Sequence, residues 1–379
     1  MTTTTVPDIR IPPGLLPADG RFGSGPSRVR PEAVVALQSV AGSWLGTSHR
    51  QPPVKRVVAS VRRGLSELLR LPDGYEVVLG NGGATVFWDV ATFGLIERRS
   101  QHLSFGEFSS KFAAAAAAPH LEPPQVIESA PGTHPEARAD DSIDLYALTH
   151  NETSTGVAMP LSRPEGTSPQ SALVAVDATS AAGALHFDPQ QVDVYYLAPQ
   201  KVLASDGGLW LAACSPAAVE RIGRIAAGGR WVPASLDLAI ALDNSRKDQT
   251  YNTPALTTLF LLDRQLQWLN GEGGLEWAAR RCQRSAAILY GWAETSDFAS
   301  PFVAPAQRSP VVGTIDLAPE IDAAGVSGVL RANGIVDTDA YRKLGRNQVR
   351  IGMFPAVHPD DVAALTACID HVVSAMSSA

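Results

Sequence analysis

The sequence predicts an α/β protein: a large domain built on a mostly parallel mixed sheet, followed by a smaller α/β domain. Three observations predict it. Short continuous apolar runs, typical of strands buried on both faces, alternate with segments of helical periodicity across most of the chain. At 379 residues the chain exceeds what one core ordinarily holds. From Pro254 the pattern shifts to two long helices and then returns to alternating strand and helix.

Taken in order, residues 1–19 read as a frayed tail. They lack the basic and apolar regions of a signal peptide. Helical spacing follows at 31–42 and 54–71, and EVVLG (76–80) is a buried strand. A helix over 84–97 opens directly after a glycine pair, and 103–105 is strand-like. Further strands are expected at 125–128, 144–149, 172–177, 192–198 and 208–213. The large domain is placed at 20–270 and the small C-terminal domain at 271–379, with the boundary among the long helices that follow Pro254.

A formal charge of −7 argues against general binding to nucleic acid or to a membrane surface, so an anionic ligand must be met by a local cluster of donors. No apolar stretch approaches the ~20 residues of a membrane span. Cys214, Cys282 and Cys368 are widely spaced, which fits a reducing cytoplasm and offers neither a disulfide framework nor a thiolate metal site. The histidines show no metal-ligand spacing.

Chemistry concentrates around Lys201, set between the strands at 192–198 and 208–213 in APQKVLASDGG. Lysine is rarely buried without a partner. Asp177 ends the strand ALVAVD, where open α/β sheets place ligands, although alone it reads equally well as a turn or helix-cap residue. Together the two are informative. An amine that can lose its proton joins an aldehyde covalently, and a buried carboxylate holds a pyridine nitrogen protonated, which are two anchors that pyridoxal 5'-phosphate needs. The third is a phosphate site, supplied by Asn81-Gly82-Gly83-Ala84-Thr85 between strand and helix. The same turn is an imperfect dinucleotide fingerprint (Gly80, Gly82, then Thr85), but the strand-like stretch after it does not end in an acidic residue, which counts against NAD.

FGSGPS (22–27), TSHR (47–50), NGGAT (81–85), HNETSTGV (150–157), VDATSAAG (176–183), APQKVLASDGGLWLA (198–212), YNTPAL (251–256) and VRIGMFPA (349–356) stand in the order seen in phosphoserine aminotransferases, and on them the chain resembles that family over residues 20 to 375. The resemblance implies the class-V branch of the aspartate-aminotransferase fold (fold type I), pyridoxal 5'-phosphate, and a ping-pong exchange between glutamate with 3-phosphohydroxypyruvate and 2-oxoglutarate with phosphoserine, a step of serine biosynthesis. By position it implies that Lys201 binds the cofactor covalently and Asp177 faces its ring nitrogen. Thr153 would contact the ring oxygen, Phe108 would stack on the ring, and Gly83, Ala84 and Gln200 would meet the phosphate. Asn252 and Thr253 would reach that phosphate from a second subunit, making a homodimer part of the active site. Arg350 resembles the arginine that takes the substrate carboxylate, and His49 and Arg50 the pair that reaches the substrate phosphate from the partner. Two departures stand out: Ala84 follows the glycine pair where many relatives have arginine, and the usual histidine before Arg350 is missing, with Arg342, Lys343 and Arg346 offered instead. A same-fold alternative is an alanine–glyoxylate or serine–pyruvate type of aminotransferase.

Overall fold

The computed structural model describes residues 7–377. Its helices, in chain order, are α1 (Pro31–Trp44), α2 (Pro52–Leu68), α3 (Gly83–Gly94), α4 (Glu107–Ala115), α5 (Pro216–Ala227), α6 (Leu238–Ser245), α7 (Leu256–Gly271), α8 (Gly274–Thr295), α9 (Ala323–Ala332) and α10 (Pro359–Ser377). The strands are β1 (Glu76–Asn81), β2 (Ser100–Ser104), β3 (Gln125–Glu128), β4 (Leu145–Thr149), β5 (Asn151–Glu152), β6 (Val157–Ala158), β7 (Leu173–Asp177), β8 (Val194–Leu197), β9 (Leu209–Cys214), β10 (Ala299–Pro301), β11 (Val312–Leu317) and β12 (Gln348–Gly352).

Seven strands form the large sheet in the order β1-β9-β8-β7-β4-β2-β3. Only β9 runs against its neighbours; the pairs β8/β7, β7/β4, β4/β2 and β2/β3 are parallel. The direction of β9 is invisible in its sequence, because a strand buried on both faces reads as an unbroken apolar run either way. The two faces nonetheless separate cleanly by alternation. Val77, Leu79, Tyr146, Leu148, Val174, Val176, Tyr195 and Leu197 join one core with α2 and α7, while Val78, Leu145, Ala147, Leu173, Ala175, Val194 and Tyr196 join another with α3 to α6. On α2 the buried stripe is Val54, Val58, Val61, Leu65 and Leu68, alternating steps of four and three that keep one helix face inward.

A second sheet, β10-β11-β12, is antiparallel and packs with α8, α9 and α10 around a third core. Position 270, where the boundary is expected, falls at the end of α7, and α8, which begins beyond it, is shared between two cores. Leu275, Ala278 and Cys282 sit in the core of the large sheet, whereas Ala286, Leu289, Tyr290 and Ala293 sit in that of the small one.

The expectation of a tail over 1–19 is corrected for residues 7–19, the first six lying outside the described residues. Ile11 is buried and Ile9, Leu15 and Leu16 pack on the core of the small sheet. Asn333 ties this segment on both sides, accepting from the Ile11 amide (3.0 Å) and donating to the Ile9 carbonyl (2.9 Å). Its apolar residues are drawn into a core by side chains more than three hundred positions away, for which the local sequence carries no signal. The helix expected to reach 97 ends at Gly94 because Asp144, read as the first residue of a strand, turns its carboxylate to the amides of Glu97 (2.9 Å), Arg98 (2.7 Å) and Arg99 (2.8 Å). Among the described residues no helix is long and apolar enough to cross a membrane, and no cluster of three or more His, Cys, Asp or Glu could hold a metal.

Candidate active site

The carboxyl ends of β1, β4, β7 and β8 and the start of β9 meet at one edge of the large sheet, where Asn81 pairs with Leu209 and Thr149 with Asp177. A cavity of about 220 Å³ opens there, lined by Gly82–Thr85, Trp88, Phe108, Thr153, Asp177, Gln200 and Lys201 among others. Seven residues expected at a cofactor site (Gly83, Ala84, Phe108, Thr153, Asp177, Gln200 and Lys201) therefore face one space.

Lys201 is buried, and its ammonium donates to Thr153 Oγ1 (2.7 Å) while lying 4.5 Å from the centre of the Phe108 ring. Burial brings its pKa down to about 8; the carboxylates of Asp177 and Glu152 oppose that, and Arg350 adds to it. Thr153 in turn donates to Ser180 Oγ (2.9 Å). Asp177 stands on the sheet face covered by α3. Its carboxylate accepts from the Thr179 amide (2.9 Å) and from the indole of Trp88 (3.4 Å), and the residue lines the cavity.

At the phosphate end, Gly82 takes a left-handed conformation (φ 114°) as the residue before α3, and Gly83 is also left-handed (φ 76°). A side chain at Gly82 would meet Val86 at 2.5 Å. No side chain caps α3, which leaves its first amides directed at the cavity, a ready anion site. Buried oxygens without partners, Gln200 Oε1, Asn151 Oδ1 and Thr179 Oγ1, line the same space.

Glu152 and Trp88 escaped the sequence reading. Glu152 is fully buried, and its Oε2 accepts from the amides of Phe108 (3.1 Å) and Ser109 (3.0 Å) and from Ser109 Oγ (3.0 Å). Its Oε1 accepts from the amide and hydroxyl of Ser154 (3.1 and 2.7 Å). It thus caps α4, the helix that carries Phe108, from forty-odd positions away, a contact for which local spacing carries no signal. Trp88 could have been found, because a helix beginning at Gly83 turns its sixth residue back onto the sheet.

Arg350, on β12, lies outside the main cavity in an adjoining one with Gly23–Pro26, and reaches across to donate to the Thr153 carbonyl (3.2 Å). Burial lowers its pKa from the usual value. His49, Arg50, Asn252 and Thr253 are not brought to the cavity of their own chain. They gather beside it: His49 Nδ1 is 3.3 Å from Thr253 Oγ1, Arg50 donates to Gln249 (3.1 Å), and Asn81 donates to Asn252 and to the Thr253 carbonyl (3.2 Å). Burial, with Arg50 next to it, holds the His49 pKa below its usual value. Of the three cations before Arg350, Arg346 pairs with Asp316 (3.0 Å) and Lys343 with Glu107 (2.5 Å), while Arg342 is exposed. Strand β2, which follows the glycine turn, ends in Ser104, so no carboxylate stands where a ribose would be gripped.

The family model for class-V aminotransferases matches residues 24–338. The chain belongs to the class-V aminotransferases. Curated aminotransferases extend the likeness over its full length. The phosphoserine aminotransferases of Rhodococcus jostii and of a Nocardioides species are each 60% identical, over 99% of both chains in the first case and over 96% of this chain and 98% of the other in the second. Among solved aminotransferase structures, the phosphoserine aminotransferase of Cytophaga hutchinsonii superposes with a TM-score of 0.83 at 24% identity, covering 93% of this chain and 99% of that one. An alanine–glyoxylate aminotransferase from Nostoc does so with 0.77 at 20% identity, covering 96% and 97%. The two structural likenesses show the fold; being so close in score, they leave the choice of substrate to the site.

Proposed function

We propose that this enzyme is a phosphoserine transaminase that uses pyridoxal 5'-phosphate to exchange an amino group between glutamate and 3-phosphohydroxypyruvate, giving 2-oxoglutarate and phosphoserine for serine biosynthesis in the cytoplasm. One observation carries the reading: a buried amine with its pKa brought to about 8 shares a cavity with the Asp177 carboxylate and the uncapped start of α3. The residues fit the cofactor. The first amides of α3 (Gly83, Ala84) with Gln200 suit a phosphate, Asp177 suits a protonated ring nitrogen, Thr153 suits the ring oxygen, and Phe108 supplies an apolar face. Bound there, pyridoxal phosphate would supply an aldehyde that carries the amino group and a ring that withdraws electrons.

The chain's own groups then have distinct duties. Lys201 would hold the cofactor and, as a free amine, would move the substrate α-proton, a task suited to an amine whose pKa lies near the working pH. Asp177 would act by charge, favouring a protonated ring nitrogen. Arg350 takes the substrate carboxylate as a bidentate pair. His49, Arg50, Asn252 and Thr253 complete the site of a second copy, so the working unit is a homodimer; their position beside the cavity and outside it supports this. Phosphoserine as substrate is favoured by the 60% identity to enzymes of that name.

Visible absorbance tests the proposal. The pyridoxal-loaded enzyme is expected to change spectrum on adding O-phospho-L-serine at concentrations where alanine and serine leave it unchanged. An equal response to alanine would assign it to the alanine–glyoxylate type.

A further inference from the structure

Two cations of the site face one row of aromatic rings. Lys201 Nζ lies 4.5 Å from the Phe108 ring centre, the Phe108 and Tyr341 rings are 6.2 Å apart, and the Arg350 guanidinium carbon lies 5.2 Å from the Tyr341 ring. Arg350 has little else to hold it. It gives one N–H to the Thr153 carbonyl, and its buried Nε has no hydrogen-bond partner. A guanidinium with one fixed hydrogen bond can still turn about it, and a planar fork must be fixed in plane to grip a carboxylate with two bonds. Tyr341 is itself tethered. It precedes a single 3-10 turn (Arg342–Leu344) whose Lys343 pairs with Glu107, the first residue of α4 and the neighbour of Phe108.

We propose that Tyr341 is a positioning residue: its ring, with the Arg350 guanidinium carbon 5.2 Å from its centre, holds the guanidinium fork in the orientation that receives the α-carboxylate common to every amino-acid and keto-acid substrate. The inference rests on the reading above that Arg350 binds that carboxylate. Tyr341 lines a cavity other than the one that Lys201 lines, so its loss weakens substrate binding and spares the chemical step.

The test measures binding of 2-oxoglutarate to the pyridoxal-loaded enzyme by calorimetry, since the keto acid has no amino group to transfer to it. Tyr341→Phe, which keeps the ring, is expected to bind within about twofold of the parent; Tyr341→Leu is expected to bind about five- to tenfold more weakly. In an Arg350→Ala background, Tyr341→Leu should have no further effect. In turnover, Tyr341→Leu should raise KM for glutamate and for the keto acid by a similar factor with kcat nearly unchanged. Arg350→Ala that weakens binding while Tyr341→Leu does not, or a Tyr341→Leu loss that persists without Arg350, overturns the inference and leaves the assignment of Arg350 intact. Arg350→Ala without effect removes both. An unchanged melting temperature in the two Tyr341 variants separates positioning from unfolding.

Discussion

Lys201 carries the most chemistry of any single side chain here, and its burial makes a measurable statement about stability. In the folded protein its pKa is about 8, against 10.5 for an unburied lysine. Between those values the unfolded chain holds the extra proton, so stability rises with pH through that window as the buried ammonium is neutralised. Below pH 8 the lysine is charged in both states and the full burial cost remains. Urea unfolding of the cofactor-free protein should therefore show a stability that climbs from pH 8 to 10.5 relative to Lys201→Met; a constant difference between the two would contradict this. The residue itself was legible in sequence, since a lone lysine between two apolar strands demands a reason. Its hydrogen bond to Thr153 was not legible, because forty-eight positions separate the two; the family resemblance implied only that Thr153 belongs to the cofactor site.

At the scale of elements, the α3 turn and the α4 start show opposite solutions to the same problem. Helix α3 leaves its first amides open, and α4 fills them with the Glu152 carboxylate. Gly106, just before α4, permits this, since a side chain there would meet Glu152 Cγ at 2.3 Å. Removing Glu152 orphans buried donors of Phe108, Ser109 and Ser154 together. Glu152→Ala is expected to cost at least about 2 kcal/mol, read as a lower thermal midpoint, and to loosen Phe108 against the cavity; a midpoint within a degree of the parent would contradict the capping role. The glycine pair before α3 could be read directly because it is local. The cap of α4, the docking of residues 7–19 on Asn333 and the direction of β9 could not, because each depends on partners that folding brings from far along the chain.

For the whole molecule, the proposal that two copies share each site draws on the placement of His49, Arg50, Asn252 and Thr253 beside the cavity of their own chain. Mixing tests this without a structure. Subunits carrying Lys201→Ala and subunits carrying Arg50→Ala, each of low activity alone, should regain about a quarter of parental activity when unfolded together and reassembled, because half the dimers are mixed and each mixed dimer holds one intact site. No recovery would place Arg50 in the site of its own chain. The succession of buried strands and helices in the large sheet was readable from periodicity, whereas the division of α8 between two cores was not.

Borohydride reduction of the pyridoxal-loaded enzyme, followed by proteolysis and peptide mapping, reaches the central claim most directly. A single labelled peptide is expected, with the reduced cofactor on the side chain of Lys201. Label on any other lysine, or no label on an enzyme that still transaminates, would contradict it.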